Sequence, residues 1–451
     1  MTKLGFGCYR ITQDNPTHKA ALIKYLTMGG NLIDTAVNYG DGQSESLVGE
    51  VLSELSEIKR EDITVISKVG YLQGLNLQNA IERENIKNPY PEMVKYSEGC
   101  WHCIHPVFLE EQLTNSLQRL QLDSIDCYLL HNPEYYLMAG GNKEEYYTRL
   151  KNAFKHLEIE VKKGRIKSFG ISSNTLVTAE NTPHYTSLQK VLESAEHSKN
   201  FQFVQMPGNL FESGFLNNLE LSKKNNVKVL LNRPLNAIIN GHLIRLANFT
   251  PSEAVIDLKT VTDELFHLEE TFRNEIAIHL QASEDEVTQP KDFFRWSEEL
   301  KRPELLTLAY EHWQDFENYS IRNQIYFLIN QLNEFLVGNL KKLWEKWYPA
   351  YLHALEDGLL YLKNHSIENS ERMSEKISTT LIPFLPEEIR RAPLSQKALS
   401  ILLNTEGVDC VLNGMRTEAY VEDSMGTLKL APFEVKKRVY ESFQLNSRSA
   451  D

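Results

Sequence analysis

Over its first ~240 residues the chain alternates short apolar runs with longer stretches whose apolar positions recur every three or four residues. The short runs predict strands at Lys3–Cys8, Asn31–Asp34, Ile63–Lys68, Ser124–His131, Ile166–Ser172, Phe203–Met206 and Val227–Asn232. The longer stretches predict amphipathic helices. Ala20–Met28 is stopped by Gly29 and Gly30, and Phe108–Leu122 places Leu109, Leu113, Leu117 and Leu120 on one face. Asn152–Lys163 and Tyr185–His197 repeat the pattern. Strands that are apolar almost throughout, each followed by a helix, imply a parallel sheet covered on both faces. Seven units need an eighth to close a barrel. It comes late, as a helix at Lys397–Leu403, a strand at Val408–Asn413 and a helix at Glu418–Leu428. The expected fold class is therefore α/β, a (β/α)8 TIM barrel.

About 175 residues separate the seventh and eighth strands, where a compact barrel uses a few tens at most. Leu265, Leu268, Phe272 and Ile276 share one helical face there, and Leu332, Phe335, Leu336, Leu340, Leu343, Trp344 and Trp347 share another. Trp296 and Trp313 add aromatic bulk, and Pro349 is expected to break a helix. These patterns predict a large, mostly helical insertion between strands 7 and 8 with its own small core. The expected organisation is 1–249 for barrel units 1 to 7, 250–370 for the helical insertion, and 371–451 for the last barrel unit and a C-terminal tail.

Composition narrows the function classes. Of 451 residues, 41% are hydrophobic, enough for a real core, and the net charge of −13 disfavours nucleic acid or an anionic membrane as partner. Five cysteines make no disulfide scaffold, no apolar run of transmembrane length occurs, and MTKLGFGCYRIT has no signal-peptide core, so a reducing, cytoplasmic setting is expected.

In a barrel of this type chemistry sits at the carboxyl ends of the strands. Those ends carry Asp34 with Tyr39 five residues on, Lys68, His131 with Asn132, Ser172 with Ser173, Gln205, and Asn232 with Arg233. A single Lys, Asp or His in such a place is usually a solvated or structural residue. Three ionisable groups gathered at one barrel mouth are harder to dismiss, since unpaired buried charges cost several kcal/mol each. A paired, pKa-tuned site is the simpler reading. Between the third strand and its helix lies Tyr71–His105, ending EGCWHCIH. Cys100 and Cys103, with His102 and His105 beside them, could be a redox pair or half of a zinc site. No second CxxC or matching His pair accompanies them, so a plain loop is favoured and no metal is expected.

The phrases GFGCYRI, NLIDTAVNYGDGQSESLVGEVL, ITVISKVG, SLQRLQLDSIDCYLLHNP, GRIKSFGISSN and VQMPGNLF resemble the aldo-keto reductases in order and spacing, over about residues 3–240 and again about 390–430. The resemblance implies an NAD(P)H-dependent oxidoreductase that reduces an aldehyde, ketone or sugar carbonyl. Asp34, Tyr39, Lys68 and His131 would form its catalytic tetrad, with Tyr39 as general acid. Lys68 would lower the Tyr39 pKa, Asp34 would orient Lys68, and His131 would position the carbonyl oxygen. Ser172, Ser173 and Gln205 would hold the nicotinamide carboxamide. Asn232, Arg233, Leu235, Gly414, Arg416, Thr417, Tyr420, Asp423 and Ser424 fall where the rest of the cofactor is gripped, with Arg416 or Arg233 a partner for phosphate. Asn232 stands where the family commonly stacks an aromatic ring on the nicotinamide. NADP is the expected cofactor, with NAD possible. Tyr9, Tyr71, Trp101 and Asn132 would face a small-molecule substrate. Some members of the family, such as potassium-channel β subunits, keep the tetrad while serving partners. A cofactor-binding regulatory or interaction subunit, with a protein partner on the helical insertion, is therefore the alternative.

Overall fold

The computed structural model describes residues 2–239, 242–250, 256–280, 290–304 and 321–448. The chain divides into two compact units, Met1–Ile238 with Thr380–Asp451, and Ile239–Thr379.

The first unit is a closed (β/α)8 barrel. Its strands are β1 (Leu4–Gly7), β2 (Leu32–Asp34), β3 (Thr64–Val69), β4 (Cys127–His131), β5 (Phe169–Ser172), β6 (Phe201–Pro207), β7 (Lys228–Asn232) and β8 (Cys410–Gly414). They pair in parallel in sequential order, β8 closing against both β7 and β1. All eight expected strands form, within a few residues of their expected ends. Leu32, Ile66, Cys127, Leu129, Phe203, Leu230, Cys410 and Leu412, from β2, β3, β4, β6, β7 and β8, form a buried cluster inside the barrel. Gly170 on β5 is needed in this packing, because a Cβ there would meet the Phe203 carbonyl oxygen at 1.9 Å. On the outside, the helix Pro106–Leu120 buries Leu109, Leu113 and Leu120; the His105 side chain caps it and Pro106 begins it.

The Tyr71–His105 segment, expected as a plain loop, is ordered structure. It holds a helix, Gly74–Asn85, and a three-stranded antiparallel sheet of Tyr71–Leu72, Val94–Ser97 and Cys100–His102. Strands of two to four residues are too short to show alternation in sequence.

The second unit has an aromatic core. Phe272, Phe294, Trp344, Trp347 and Tyr351 are buried together with Leu265, Ile325, Ile329, Leu332, Leu336, Leu355 and Leu362. Trp344 stacks on Trp347, and Trp347 on Tyr351. Pro349 does not break the chain as expected: one helix runs Gly338–Leu381 through it. An internal proline costs about 3 kcal/mol, and burial of Trp344, Trp347 and Tyr351 on either side offsets it. Phe335 and Leu343, expected in the apolar stripe, are exposed. Trp313 lies outside the described residues.

Candidate active site

The barrel collects the strand-end residues into one buried polar network. Lys68, the fifth residue of β3, is wholly buried. Its Nζ donates to Asp34 Oδ2 and to the Thr35 carbonyl oxygen, both at 2.7 Å. The other Asp34 oxygen accepts from Gln205 Nε2 at 2.8 Å. Gln205 Oε1 in turn accepts from Ser172 Oγ at 3.1 Å and Asn232 Nδ2 at 3.2 Å. One chain of hydrogen bonds thus joins the ends of β2, β3, β5, β6 and β7. A buried charge pair persists only when its remaining lone pairs and protons are satisfied, and here both Asp34 oxygens are bonded.

Tyr39 reaches the same place from the loop after β2. Gly40, Asp41 and Gly42 all have positive φ, so the chain turns immediately beyond the tyrosine. Asp41 then accepts from the Leu75 backbone N–H, and Asn38 donates to Gln73, tying the loop to the segment after β3. The Tyr39 ring is 9% exposed. Lys68 Nζ lies 4.8 Å from its centroid, and the His131 ring 5.9 Å away at 81°. Burial first, then the Asp34 carboxylate, pushes the phenol well above the ordinary tyrosine range. The expected lowering by Lys68 is outweighed, first by burial and then by the Asp34 carboxylate, which pairs with the ammonium at 2.7 Å. Burial, with Lys68 nearby, holds His131 well below the ordinary histidine value, so its ring is neutral.

Of the expected substrate-facing residues, Tyr9 packs edge-on against Tyr39 at 5.2 Å and is 64% exposed. Tyr71 lies edge-on to His131 at 4.8 Å, and its hydroxyl accepts from Asn132 Nδ2 at 2.6 Å. Asn132 adopts positive φ directly after β4. Trp101 is buried in the small sheet opposite Leu72, with Lys95 Nζ 4.3 Å from its ring. The neighbouring thiols are not thiolates: burial pushes Cys100 up, and Cys103 to about 12.

For a dinucleotide, two buried polar atoms next to the network stand without partners, Asn232 Oδ1 and Arg233 Nε. Arg233 NH2 is bonded to Glu212 at 3.1 Å, which leaves Nε for an incoming acceptor. Gly414, at the end of β8, is exposed with open space beside its Cα. These features at the ends of β7 and β8 would suit a polar cofactor that carries an anionic group. Leu235 is buried and Ser173 caps the turn Asn174–Val177. Thr417 caps the helix Glu418–Gly426, bonding the Tyr420 backbone N–H, and Arg416 is half-buried. Asp423 accepts from Gln396, while the Ser424 hydroxyl is buried and accepts from Asn413 Nδ2 at 2.8 Å.

Two further residues belong to the neighbourhood and were not expected there. Glu134 is 1% exposed and accepts from the Asn174 backbone N–H at 2.8 Å, while its Oε2 has no partner. Burial raises its carboxyl to about 7. His102 donates to the His131 carbonyl oxygen. A carboxylate two residues beyond HN is a faint sequence signal; for His102 there is none beyond its place in CWHC.

A sequential parallel barrel with polar groups gathered at its strand ends is an enzyme scaffold. The chain belongs to the aldo/keto reductase family, whose model matches residues 3–256. It is 27% identical over 173 residues to the uncharacterized oxidoreductase YqkF of Bacillus subtilis, covering 38% of this chain and 45% of that one. It is 25% identical over 232 residues to an NAD(P)H-dependent D-xylose reductase of Candida tropicalis, covering 46% and 60%. Over 106 residues it is 35% identical to the NADH-specific methylglyoxal reductase of Escherichia coli, covering 23% and 27%. The chain thus spans between 27% and 60% of the length of these curated relatives. Among solved structures, the glycerol dehydrogenase of Gluconobacter oxydans shares the fold, with TM-score 0.50, 15% identity, and coverage of 100% of this chain and 92% of that one. No helix among the described residues is long and apolar enough to cross a membrane.

Proposed function

We propose that the protein reduces an aldehyde, ketone or sugar carbonyl at the expense of NADPH, with Tyr39 as general acid and Lys68, Asp34 and His131 as its supporting groups. The observation that carries this reading is the wholly buried Lys68, paired with Asp34 at 2.7 Å and 4.8 Å from the centre of the Tyr39 ring. The cofactor supplies the hydride. Ser172, Ser173 and Gln205 bind its carboxamide, and Asn232, Arg233, Leu235, Gly414, Arg416, Tyr420 and Ser424 bind the remainder. NADPH is preferred to NADH on the family resemblance, with Arg233 and Arg416 as its candidate phosphate contacts.

A high phenol pKa keeps Tyr39 protonated at neutral pH, as a donor must be. Neutral His131 donates an N–H to the carbonyl oxygen and holds it within reach of Tyr39. As that oxygen gains charge, Tyr39 gives up its proton to form the alcohol. Lys68, held by Asp34, stabilises the phenolate left behind. Tyr9, Tyr71, Trp101 and Asn132 line the approach of the substrate.

The test is oxidation of NADPH and NADH by the full chain against a panel of aldehydes, ketones and sugars. Turnover of at least one carbonyl, faster with NADPH, is expected. Cofactor binding with no turnover across the panel would contradict the reading and favour an interaction subunit.

A further inference from the structure

The ladder between β3 and β4 ends at the pair Val69 and Leu130. The next residue, Gly70, leaves the sheet with φ +154°, so His131 at the end of β4 loses its neighbour on that side. On the other side the strand stays pinned, since His131 pairs with Ser172 and the Asn132 N–H donates to the Ser172 carbonyl at 2.7 Å. The His131 carbonyl oxygen is not left bare. His102 Nε2 donates to it at 2.7 Å, so a side chain replaces the missing ladder donor.

His102 is itself held on all sides. It is 1% exposed, its ring stacks on Tyr135 at 5.7 Å and 7°, and Tyr71 meets it edge-on at 5.6 Å. The Cys103 N–H donates to the Gly70 carbonyl at 2.9 Å, closing the hairpin back onto the end of β3. Only glycine fits at 70: a Cβ would lie 2.5 Å from His102 Nε2 and 2.8 Å from the His131 oxygen. Burial lowers His102 to about 4, so at neutral pH its one ring N–H goes to that carbonyl. By contrast, the His131 ring has little holding it: its Nδ1 is buried without a partner. Its placement rests on its backbone and on the edge contacts with Tyr71 and Tyr39.

We propose that His102 is a positioning residue, its ring N–H fixing the His131 main chain and through it the direction of the His131 imidazole. CWHC then serves as the strand that brings this donor in, rather than as a thiol or metal motif. The inference rests on the proposed role of His131 for its consequence in turnover, but not for its structural content.

The test uses the full chain with 15N-labelled histidine. In the wild type, His102 should show one slowly exchanging ring N–H and a single neutral tautomer from about pH 5 to 8. His102→Met, which removes the donor, should shift the His131 ring signals and lower kcat about tenfold or more, with the cofactor Kd unchanged. His102→Gln keeps an N–H donor and should recover most of both. The proposal is overturned if His102→Met leaves the His131 signals and kcat as in the wild type. It is equally overturned if the wild-type His102 ring proton exchanges freely, a reading that needs no variant to fold. Full turnover by Tyr39→Phe would instead remove the catalytic reading and leave the His102–His131 link standing.

Discussion

The two units of the chain bury polar groups in opposite ways. In Ile239–Thr379 the buried carboxylate Glu269 is closed off: it accepts from the Ser297 N–H at 2.9 Å, from the Ser297 hydroxyl, and from Tyr351 at 3.1 Å. No described side chain in that unit has a buried polar atom without a partner. In the barrel unit several do, and four of them, on His131, Glu134, Asn232 and Arg233, sit at or just beyond the ends of β4 and β7. An orphaned buried donor or acceptor costs about 1–3 kcal/mol. A protein keeps a cluster of them where a ligand will supply the missing bonds. Glu269 is thus a structural lock in an aromatic core, and the strand ends are a site built for something to enter.

The sharpest break of this contrast is Lys68→Met. It leaves Asp34 buried without its cation, with an expected loss of about 3–5 kcal/mol in denaturant unfolding together with all measurable turnover. An unchanged unfolding midpoint would mean that the pair is not the keystone of the site.

Glu134 makes the next contrast, through pH. Its folded carboxyl is raised from 4.5 to about 7, mainly by burial. Between those values the folded protein keeps a proton that the unfolded chain has released. Stability therefore falls as pH rises through that window, and the loss is complete above about 7. The whole loss amounts to about 3 kcal/mol. Glu134→Gln should flatten the decline of melting temperature between about pH 5 and 8. A parallel decline in the variant would show that Glu134 is not its source.

The smallest effect is expected from Glu269→Gln, which replaces one acceptor oxygen by an NH2, set against the Ser297 hydroxyl when it takes the Oε2 place. It should cost about 1–3 kcal/mol of stability while leaving the strand-end chemistry alone. A fall in kcat per folded molecule larger than the fall in stability would end the division between lock and site.

Much of the barrel was legible from sequence because each strand is a short apolar run with a helix stop or polar residue at its end. Asp34, Lys68, His131, Ser172, Gln205 and Asn232 stood out for the same reason, as polar residues closing apolar runs. What escaped is non-local. That Ser172 and Asn232 would meet on one Gln205 oxygen depends on barrel closure, which no local pattern encodes. The sign of the Tyr39 shift depended on how deeply the barrel would bury the phenol and on the Asp34 carboxylate beside it. His102 was hidden because its partner is a backbone carbonyl 29 residues away. Pro349 misled because local propensity was overridden by the aromatic packing around it.

The central claim is that Tyr39 delivers the proton to a reduced carbonyl. The most direct measurement compares wild type with Tyr39→Phe on the best carbonyl of the panel, following NADPH oxidation and measuring NADPH binding separately. The account predicts a kcat lower by about 10²–10⁴-fold with cofactor affinity preserved. A Tyr39→Phe enzyme that turns over like the wild type would contradict it.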